Sequence, residues 1–309
     1  FERSEHLMKH FLDVGVRSIN SLLTIGCGQR IGLIAGSGVG KSVLLGMMTR
    51  FSSADVIVIG LIGERGREVK AFIEENLGVD GLRRSVVIAS PADSSPLLRM
   101  RGASLAHCYA EFFRGEGKKV LLLMDSLTRV AHAQREIGLA IGEPPAVKGY
   151  PSSVFSILPR MIERSGTGVG GRGSITSIYT VLAEGDDLND PVVDIARSAL
   201  DGQIALSRDL ADEGHFPAID LQGSVSRLMQ VLQEKHHLQR AISFRKWWSA
   251  YQQNKDLVQV GAYEAGSNAD LDRALQLKDK MLSFLTQDMN ESCELDQSMR
   301  TLEGLVDGD

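Results

Sequence analysis

The chain has 309 residues, of which 43% are hydrophobic and 24% are charged, and its formal net charge is −5. This composition excludes a disordered or membrane-embedded chain, and it argues against a general nucleic-acid-binding surface, which would be basic. Cys27, Cys108 and Cys293 form no Cys-x-x-Cys pair. We therefore expect no disulfide framework or zinc site, and a reducing cytoplasm fits. The first residue is Phe1, and we expect a fragment of a longer protein.

A glycine-rich turn follows the first long apolar run. Residues 31–42 read Ile-Gly-Leu-Ile-Ala-Gly-Ser-Gly-Val-Gly-Lys-Ser, and the apolar residues after them predict a helix. Strand, glycine turn and helix together predict a phosphate-binding loop, in which Lys41 reaches the β- and γ-phosphates and Ser42 holds Mg²⁺. A chance lysine after a glycine turn is the alternative. The predicted nucleotide-binding residues are Ala35 (usually glycine), Gly36, Ser37, Gly38, Val39, Gly40, Lys41, Ser42 and Val43.

The next strand is predicted at 55–62 and delivers a charged cluster to its carboxyl end. Glu64 is the candidate for the carboxylate that orients the attacking water in phosphate-ester hydrolysis. Arg65 could neutralise the γ-phosphate, and Glu68 could hold a metal-bound water. The alternative is a solvated helix start, where carboxylates favour the helix dipole.

Helices and buried strands then alternate. A helix to about Leu77, a strand at 85–89, a helix at 97–114 and a strand at 119–124 predict an α/β fold with a doubly wound, mainly parallel sheet. Ligands bind at the carboxyl ends of such strands. Asp125 closes the last strand and could hold Mg²⁺ with Ser42, or it could cap the helix at Ser126. Arg129 faces either the same cavity or solvent.

The remaining segments are predicted from composition. Prolines argue against regular helix over 137–151. The acidic loop Glu184–Asp190 is a solvated turn by default. From Ser224 strands are expected to end, and helical spacing continues to about Leu305, which divides the chain into 1–223 and 224–309. The other predicted elements are a helix at 152–164, a flexible loop at 166–173, strands at 174–182, 203–206 and near 218–220, and a tryptophan pair (Trp247, Trp248) in the core of the helical part.

An ordered set of motifs resembles the hexameric ATPases of bacterial type III export, flagellar and injectisome, which are similar to the catalytic subunit of the rotary ATP synthase. The resemblance covers essentially the whole chain. The motifs are Ala-Gly-Ser-Gly-Val-Gly-Lys-Ser (35–42), Gly-Leu-Ile-Gly-Glu-Arg-Gly-Arg-Glu (60–68), Met-Asp-Ser-Leu-Thr-Arg (124–129), Ala-Ile-Gly-Glu-Pro-Pro (140–145), Gly-Tyr-Pro-Ser-Ser-Val-Phe (149–155), Glu-Gly-Asp-Asp (184–187) and Ser-Val-Ser-Arg (224–227).

This resemblance implies a RecA-like phosphate-loop core with a C-terminal α-helical domain, and ATP with Mg²⁺ as ligands. It implies that Glu64 is the catalytic carboxylate and that Phe216 packs on adenine, replacing a related tyrosine. Arg227 would be the arginine finger supplied to a neighbouring subunit. The remaining roles follow the family: Lys41 and Arg65 on the γ-phosphate, Ser42 and Asp125 on Mg²⁺, and Arg129 in the phosphate pocket.

The resemblance also implies partners. Family members form homo-hexamers that surround a central stalk, which the loop Glu184–Asp190 would face. Peripheral-stalk or regulator proteins, export chaperones and cargo are further expected partners, at the inner-membrane export apparatus of a bacterial cytoplasm. The small N-terminal β-barrel of the family is absent from this chain, so we expect a weaker hexamer, and a monomer in dilute solution.

The sequence leaves three candidate functions. The first is Mg²⁺-dependent ATP hydrolysis that energises export of unfolded proteins, with flagellar export preferred to the injectisome. The second is a nucleic-acid motor with the same core, which would want basic pore loops where 184–190 is acidic. The third is a non-catalytic nucleotide-binding subunit of a rotary ATPase, against which Glu64 argues.

Overall fold

The structure is a computed structural model that describes residues 11–183 and 190–308. Within these ranges an eight-stranded sheet has the order β3-β2-β4-β6-β1-β7-β8, and the short β5 pairs with β6 outside this order. All neighbours are parallel except β7 with β8 and β5 with β6. The strands are β1 Arg30–Ala35, β2 Val56–Ile62, β3 Ser85–Ser90, β4 Lys119–Asp125, β5 Gly166–Thr167, β6 Ser174–Leu182, β7 Gly202–Leu206 and β8 Ile219–Ser226.

Helices follow most of the strands, and further helices follow β8. Those before β8 are α1 Arg17–Leu22, α2 Lys41–Phe51, α3 Gly66–Ala71, α4 Gly78–Arg83, α5 Pro96–Gly115, α6 Leu127–Ala140, α7 Ser152–Ile162, α8 Pro191–Ala199 and α9 Arg208–Asp212. A π-helical segment, Phe72–Leu77, joins α3 to α4, and 3₁₀ turns span Val147–Gly149 and Val169–Gly171. Those after β8 are α10 Met229–Leu232, α11 Lys235–Gln253, α12 Lys255–Gln259, α13 Ala269–Leu285 and α14 Leu295–Val306.

The central strands are buried on both faces, as their continuous apolar sequences predict. Neighbouring residues along a strand point to opposite faces, so Ile57 and Ile59 belong to one hydrophobic cluster while Val58 belongs to the other. The first cluster also contains residues of α2 and of the C-terminal helices. The second contains α5, α6, α7 and α8. This two-layer covering confirms the predicted α/β architecture.

Two predicted boundaries are wrong. The helix α6 continues to Ala140, four residues into the segment where regular helix was not expected, because the first proline comes only at Pro144. Strand β8 runs on to Ser226 because it pairs with β7 along its length, so strands do not end at Ser224. The predicted acidic loop falls mostly on residues 184–189, which lie outside the described residues.

The N-terminal helix α1 is fastened to the C-terminal helices, which the sequence did not indicate. The Arg17 guanidinium donates to the carbonyl oxygens of Ser283, Phe284 and Thr286, where α13 ends. A cation there complements the negative end of the helix dipole. Because one hydrophobic cluster includes residues from both sides of residue 224, the division at that point stays a prediction.

Trp248 is 3% exposed and lies in the core, as predicted for the tryptophan pair, while Trp247 packs partly buried against it. Across the described ranges, the helices all fall short of the combined length and apolarity that a membrane-crossing helix requires.

Candidate nucleotide-binding and catalytic site

The glycine turn lies at the carboxyl edge of the sheet, between β1 and α2. Gly38 and Gly40 have φ angles of +79° and +88°, a conformation that side-chain-bearing residues rarely adopt. Gly40 is the N-cap of α2, and helix begins at Lys41. Val39 is 2% exposed and anchors the turn in the core. The turn therefore presents the N-terminus of α2 and its backbone N–H groups at this edge, where an anion would be favoured.

Lys41 stands between two carboxylates from neighbouring strands. Its Nζ lies 2.5 Å from Asp125 Oδ1 and 3.5 Å from Glu64 Oε1. Asp125 ends β4, and Glu64 follows the end of β2, which pairs with β4 in register, Leu61 opposite Asp125. The parallel register thus brings together the three side chains that the sequence singled out.

The electrostatics of this trio depend on its burial. Burial, assisted by the charge of Asp125, raises the pKa of Glu64 to about 7, although Lys41 opposes the shift. Burial alone would lower the pKa of Lys41, but the charges of Asp125 and Glu64 outweigh it and raise that pKa. Lys41 is therefore a fixed cation, while Glu64 exchanges protons near neutral pH, which suits a general base.

Oxygen atoms suited to a small divalent cation lie beside Lys41. Among the described residues, Glu64 Oε1 is buried and accepts no hydrogen bond, and the Asp125 carboxylate is 4% exposed. Ser42 lines the same cavity. In the described part of the chain no three His, Cys, Asp or Glu side chains cluster as a metal cage. This donor set fits Mg²⁺, which prefers one or two carboxylates plus phosphate and water oxygens.

A cavity of about 1010 Å³ opens in front of the glycine turn. Its size is at the upper end of ordinary ligand pockets. Val39, Phe216 and Arg227 lie outside its lining. The sequence-predicted residues that line it are Ala35, Gly36, Ser37, Gly38, Gly40, Lys41, Ser42, Val43, Glu64, Arg65, Glu68, Asp125 and Arg129.

The predicted cations take different positions around this cavity. Arg65 and Glu68 pair with each other at 3.7 Å, and their side chains are 69% and 47% exposed, so both sit at the mouth. Arg129 lies against Gly63, where an added Cβ would come within 2.6 Å of Arg129 Cβ. Gly63, at φ +73°, therefore leaves the room that brings Arg129 to the wall.

Phe216 and Arg227 lie near opposite ends of strand β8. The Phe216 ring is 3.4 Å from where a Cβ on Gly40 would be, so it flanks the glycine turn. Arg227 follows the end of β8, which runs antiparallel to β7 and away from that turn. Its N–H donates to Asp201 O, and Asp201 N–H donates to Arg30 O at the start of β1. The length of β1, roughly 17 Å at 3.3 Å per residue, therefore separates Arg227 from the glycine turn of its own chain.

Sequence reasoning missed several residues at the site. Thr180, fully buried on β6, donates to Asp125 Oδ1 at 2.6 Å and orients that carboxylate. The available signal was a hydroxyl side chain within the apolar run of β6. A single hydroxyl is too ambiguous to assign a role from the sequence alone. Arg99, 8% exposed, donates through Nη2 to both carboxylate oxygens of Glu136, at 2.8 and 2.9 Å. Both line the cavity, as does His132.

Comparison with known proteins decides the family. Residues 15–226 match the model of the ATP synthase alpha/beta family, nucleotide-binding domain. The chain belongs to the ATP synthase alpha/beta family. Residues 233–304 of this family member match a second model, the type III secretion EscN ATPase C-terminal domain.

Curated relatives are similar along nearly the whole chain. The flagellum-specific ATP synthase of Pseudomonas aeruginosa is 59% identical over 303 residues, covering 98% of this chain and 67% of the relative. That of Salmonella typhimurium is 60% identical, covering 96% and 65%. This alpha/beta family member thus spans about two thirds of the length of the curated relatives it matches.

Solved structures share the fold. A prototypical ATPase from the type III secretion system of pathogenic bacteria superimposes with a TM-score of 0.91 at 45% identity, covering 97% of this chain and 86% of that one. The assembled ATPase EscN in complex with its central stalk EscO, from enteropathogenic E. coli, gives 0.91 at 43% identity, covering 97% and 72%. The likeness to these two structures therefore extends through the C-terminal helices.

Proposed function

We propose that the chain hydrolyses ATP with Mg²⁺ and energises protein export by a type III system. The observation that carries the proposal is the trio of Lys41, Glu64 and Asp125 beside the glycine turn. Both carboxylates have an oxygen within 3.5 Å of Lys41 Nζ. A structural ion pair needs one carboxylate for one ammonium. The second carboxylate, with its pKa near 7, is placed for chemistry on a phosphate bound at the turn.

Each residue of the site has a role that follows from its position. The glycine-turn N–H groups and Lys41 hold the phosphates, and Glu64 takes a proton from the attacking water and orients it. Arg65 and Arg129 add positive charge at the mouth and wall of the cavity, where charge spreads over the phosphoryl oxygens. Binding of the phosphates draws Lys41 toward them and frees Asp125 Oδ1 from its ion pair.

Ser42 and Asp125 would hold Mg²⁺, and Glu68 would hold one of its waters. When bound, the ion neutralises charge on the phosphate oxygens and fixes their orientation. Thr180 keeps the Asp125 carboxylate turned toward this position by its hydrogen bond, as partners of metal-binding carboxylates commonly do.

Glu64→Gln tests the catalytic role directly. The amide keeps the size of the carboxylate but cannot accept the proton, so we expect the turnover of ATP to fall at least about 100-fold while ATP binding persists. Turnover is measured by phosphate release with and without Mg²⁺, and binding by calorimetry.

The matched control is Glu163→Gln. Glu163 is a surface carboxylate that pairs with Arg30 far from the cavity, and its amide variant should leave turnover unchanged. Turnover by Glu64→Gln equal to that of the wild type would remove Glu64 from the mechanism. Nucleotide binding without any wild-type turnover would instead favour a non-catalytic regulatory subunit.

The export role rests on similarity. The relatives named flagellum-specific ATP synthase are 59% and 60% identical, against 43% and 45% for the structures of injectisome type, so we propose flagellar export. Assembly as a homo-hexamer around a central stalk, with regulators, chaperones and cargo at the membrane export apparatus, completes the proposal. It is supported by the structural likeness to assembled EscN and to EscN with its central stalk EscO.

Arg227 supports a shared site. Because it lies at the end of the strands opposite its own glycine turn, any phosphate it contacts belongs to another molecule. A ring in which each subunit supplies Arg227 to the next cavity satisfies this geometry. Phe216, beside Gly40, would pack against the adenine of its own site.

A further inference from the structure

The loop that carries Phe216 touches both the phosphate-binding turn and the C-terminal helices. It connects α9 to β8. The Phe216 ring, 44% exposed, flanks Gly40, while the Phe216 carbonyl oxygen accepts a hydrogen bond of 3.0 Å from the backbone N–H of Gln287. Gln287 is 71 positions further along the chain, just after α13. One residue thus joins the glycine turn on its ring side to the helical region on its backbone side.

Gln287 is held rigidly by its own side chain. It is 7% exposed, and its amide nitrogen donates to Gly15 O and Glu291 O, each at 2.8 Å. Its amide oxygen accepts from the backbone N–H of Arg17 at 2.8 Å. Because both N–H donors and the oxygen of the side-chain amide are hydrogen-bonded, burial of this glutamine carries little desolvation penalty. The same hydrogen bonds hold the residue, and with it its backbone N–H, in one orientation. The backbone N–H that donates to Phe216 is therefore positioned by the start of α1, by Gly15 just before it, and by Glu291 in the segment that precedes α14.

The residues before Phe216 make two further attachments. His215 is 7% exposed, and its ring packs on Trp248 of α11 with 5.9 Å between ring centroids. Glu213 forms an ion pair with Lys255 at the start of α12. The loop is thus attached to α11, to α12 and to the segment after α13. In the described ranges, the hydrogen bonds and ring contacts of His215 and Gln287 involve none of the residues that line the nucleotide cavity.

We propose that the C-terminal helices set the position of the Phe216 ring, and through it the preference of the site for a nucleoside triphosphate over a bare triphosphate, with His215 and Gln287 as positioning residues. This inference rests on the proposed function, because it takes Phe216 as the surface on which the base packs. Binding of a base orders Phe216, and the same attachments carry that ordering to α11 and α13. Phosphate binding depends on the glycine turn and is separate.

Two ligands distinguish this role from a merely structural one. ATP carries a base and inorganic tripolyphosphate carries none, while both offer phosphates to the turn. In His215→Ala and Gln287→Ala we expect the Kd of Mg²⁺-ATP to rise about tenfold, the scale of one base–aromatic stack, and that of Mg²⁺-tripolyphosphate to stay within twofold. Phe216→Ala should give the same pattern. His236→Ala, which removes an exposed histidine of α11, is the matched control and should change neither Kd.

Three outcomes decide between explanations. Unchanged ATP binding in both variants overturns the inference. Equal weakening of both ligands also overturns it, because the contacts then only hold the fold. A wild-type protein that binds neither ligand refutes the proposed function itself, which is a different result.

Hydrogen exchange provides a measurement that needs no variant. In the wild type, ATP should slow exchange of the Gln287 amide, which donates to Phe216, and tripolyphosphate should not. Equal protection by the two ligands would show that the base does not act through this loop, and would overturn the inference.

Discussion

Buried polar side chains in this protein work in pairs whose members come from different elements. Thr180 on β6 and Asp125 on β4 form one pair at the site. A second pair lies behind the sheet, where the fully buried rings of His107 on α5 and Tyr179 on β6 meet, His107 Nε2 being 2.9 Å from the Tyr179 hydroxyl. The Tyr179 hydroxyl also lies 2.9 Å from Ser165 Oγ. Such buried networks are stable while every polar group is hydrogen-bonded, and protonation of a member would place an unpaired charge in the core.

His107 therefore predicts acid sensitivity of folding. Burial lowers its pKa from 6.5 to about 4. Below pH 6.5 the unfolded chain binds a proton that the folded chain refuses, so stability is complete above pH 6.5 and is lost as pH falls toward 4. Between pH 7 and pH 5 this group should cost about 2 kcal/mol of unfolding free energy. Urea unfolding of wild type and His107→Gln at the two pH values measures it.

The glutamine variant should lose that part of the pH dependence, because its amide does not titrate. His236→Gln, at an exposed histidine of α11, should keep the wild-type pH dependence. Identical curves for wild type and His107→Gln would show that His107 does not contribute.

At the scale of elements, the helix that carries Lys41 is held close to the π-helical segment. A Cβ on Gly46 in α2 would come within 2.8 Å of Asn76 Cβ and 2.9 Å of Asn76 O. Such close approach of two backbones needs glycine, and it fixes how far α2 stands from the segment after Glu64. The distance between the glycine turn and the end of β2, which Glu64 follows, is therefore set partly by helix packing.

Gly46→Ala should push α2 outward. We expect a loss of about 1–3 kcal/mol in unfolding free energy, as for other overpacked sites, together with weaker ATP binding because Lys41 moves with α2. Gly304→Ala is the matched control, since Gly304 is a helical glycine in α14 with open space around it. It should stabilise by up to about 1 kcal/mol. Urea unfolding and ATP titration report both effects, and a Gly46→Ala protein as stable as Gly304→Ala would contradict the packing argument.

At the scale of the whole molecule, the two ends of the sheet strands carry different parts of the proposed shared site. The carboxyl edge holds the glycine turn, Glu64 and Asp125, and the opposite edge holds Arg227. Arg227 is exposed, and its guanidinium donates to Arg197 O at the end of α8. In the proposed ring, a head-to-tail contact between copies would bring Arg227 of one copy to the glycine turn of the next, and such contacts close into rings when the rotation permits.

Mixing Arg227→Ala subunits with wild type tests this arrangement. If each site borrows Arg227 from a neighbour, turnover per wild-type subunit should fall as the variant fraction rises, and turnover should increase more than linearly with total protein concentration. The control is the same mixture made with Arg300→Ala, which changes an exposed arginine of α14. Turnover per wild-type subunit should not fall in that mixture. Activity simply proportional to the wild-type fraction in the Arg227→Ala mixture would refute a shared site.

The glycine turn, the buried strands and the carboxylates that follow them were predictable because each depends on neighbours in sequence. A φ above zero selects glycine at positions 38 and 40, and a strand buried on both faces needs an unbroken apolar run such as 56–62. A carboxylate placed directly after such a strand reaches the ligand-binding edge without further information.

The order of strands, by contrast, belongs only to the folded chain. Strand β6 inserts between β4 and β1, which brings Thr180 to Asp125 across 55 positions, and β8 returns antiparallel, which carries Arg227 away from its own cavity. The hydrogen bond from Gln287 to Phe216 likewise needs the C-terminal helices packed against the sheet. The local sequence pattern therefore predicts single strands and turns. It does not predict which of them pack together, because the hydrophobic effect that drives packing is non-directional and depends on the whole chain.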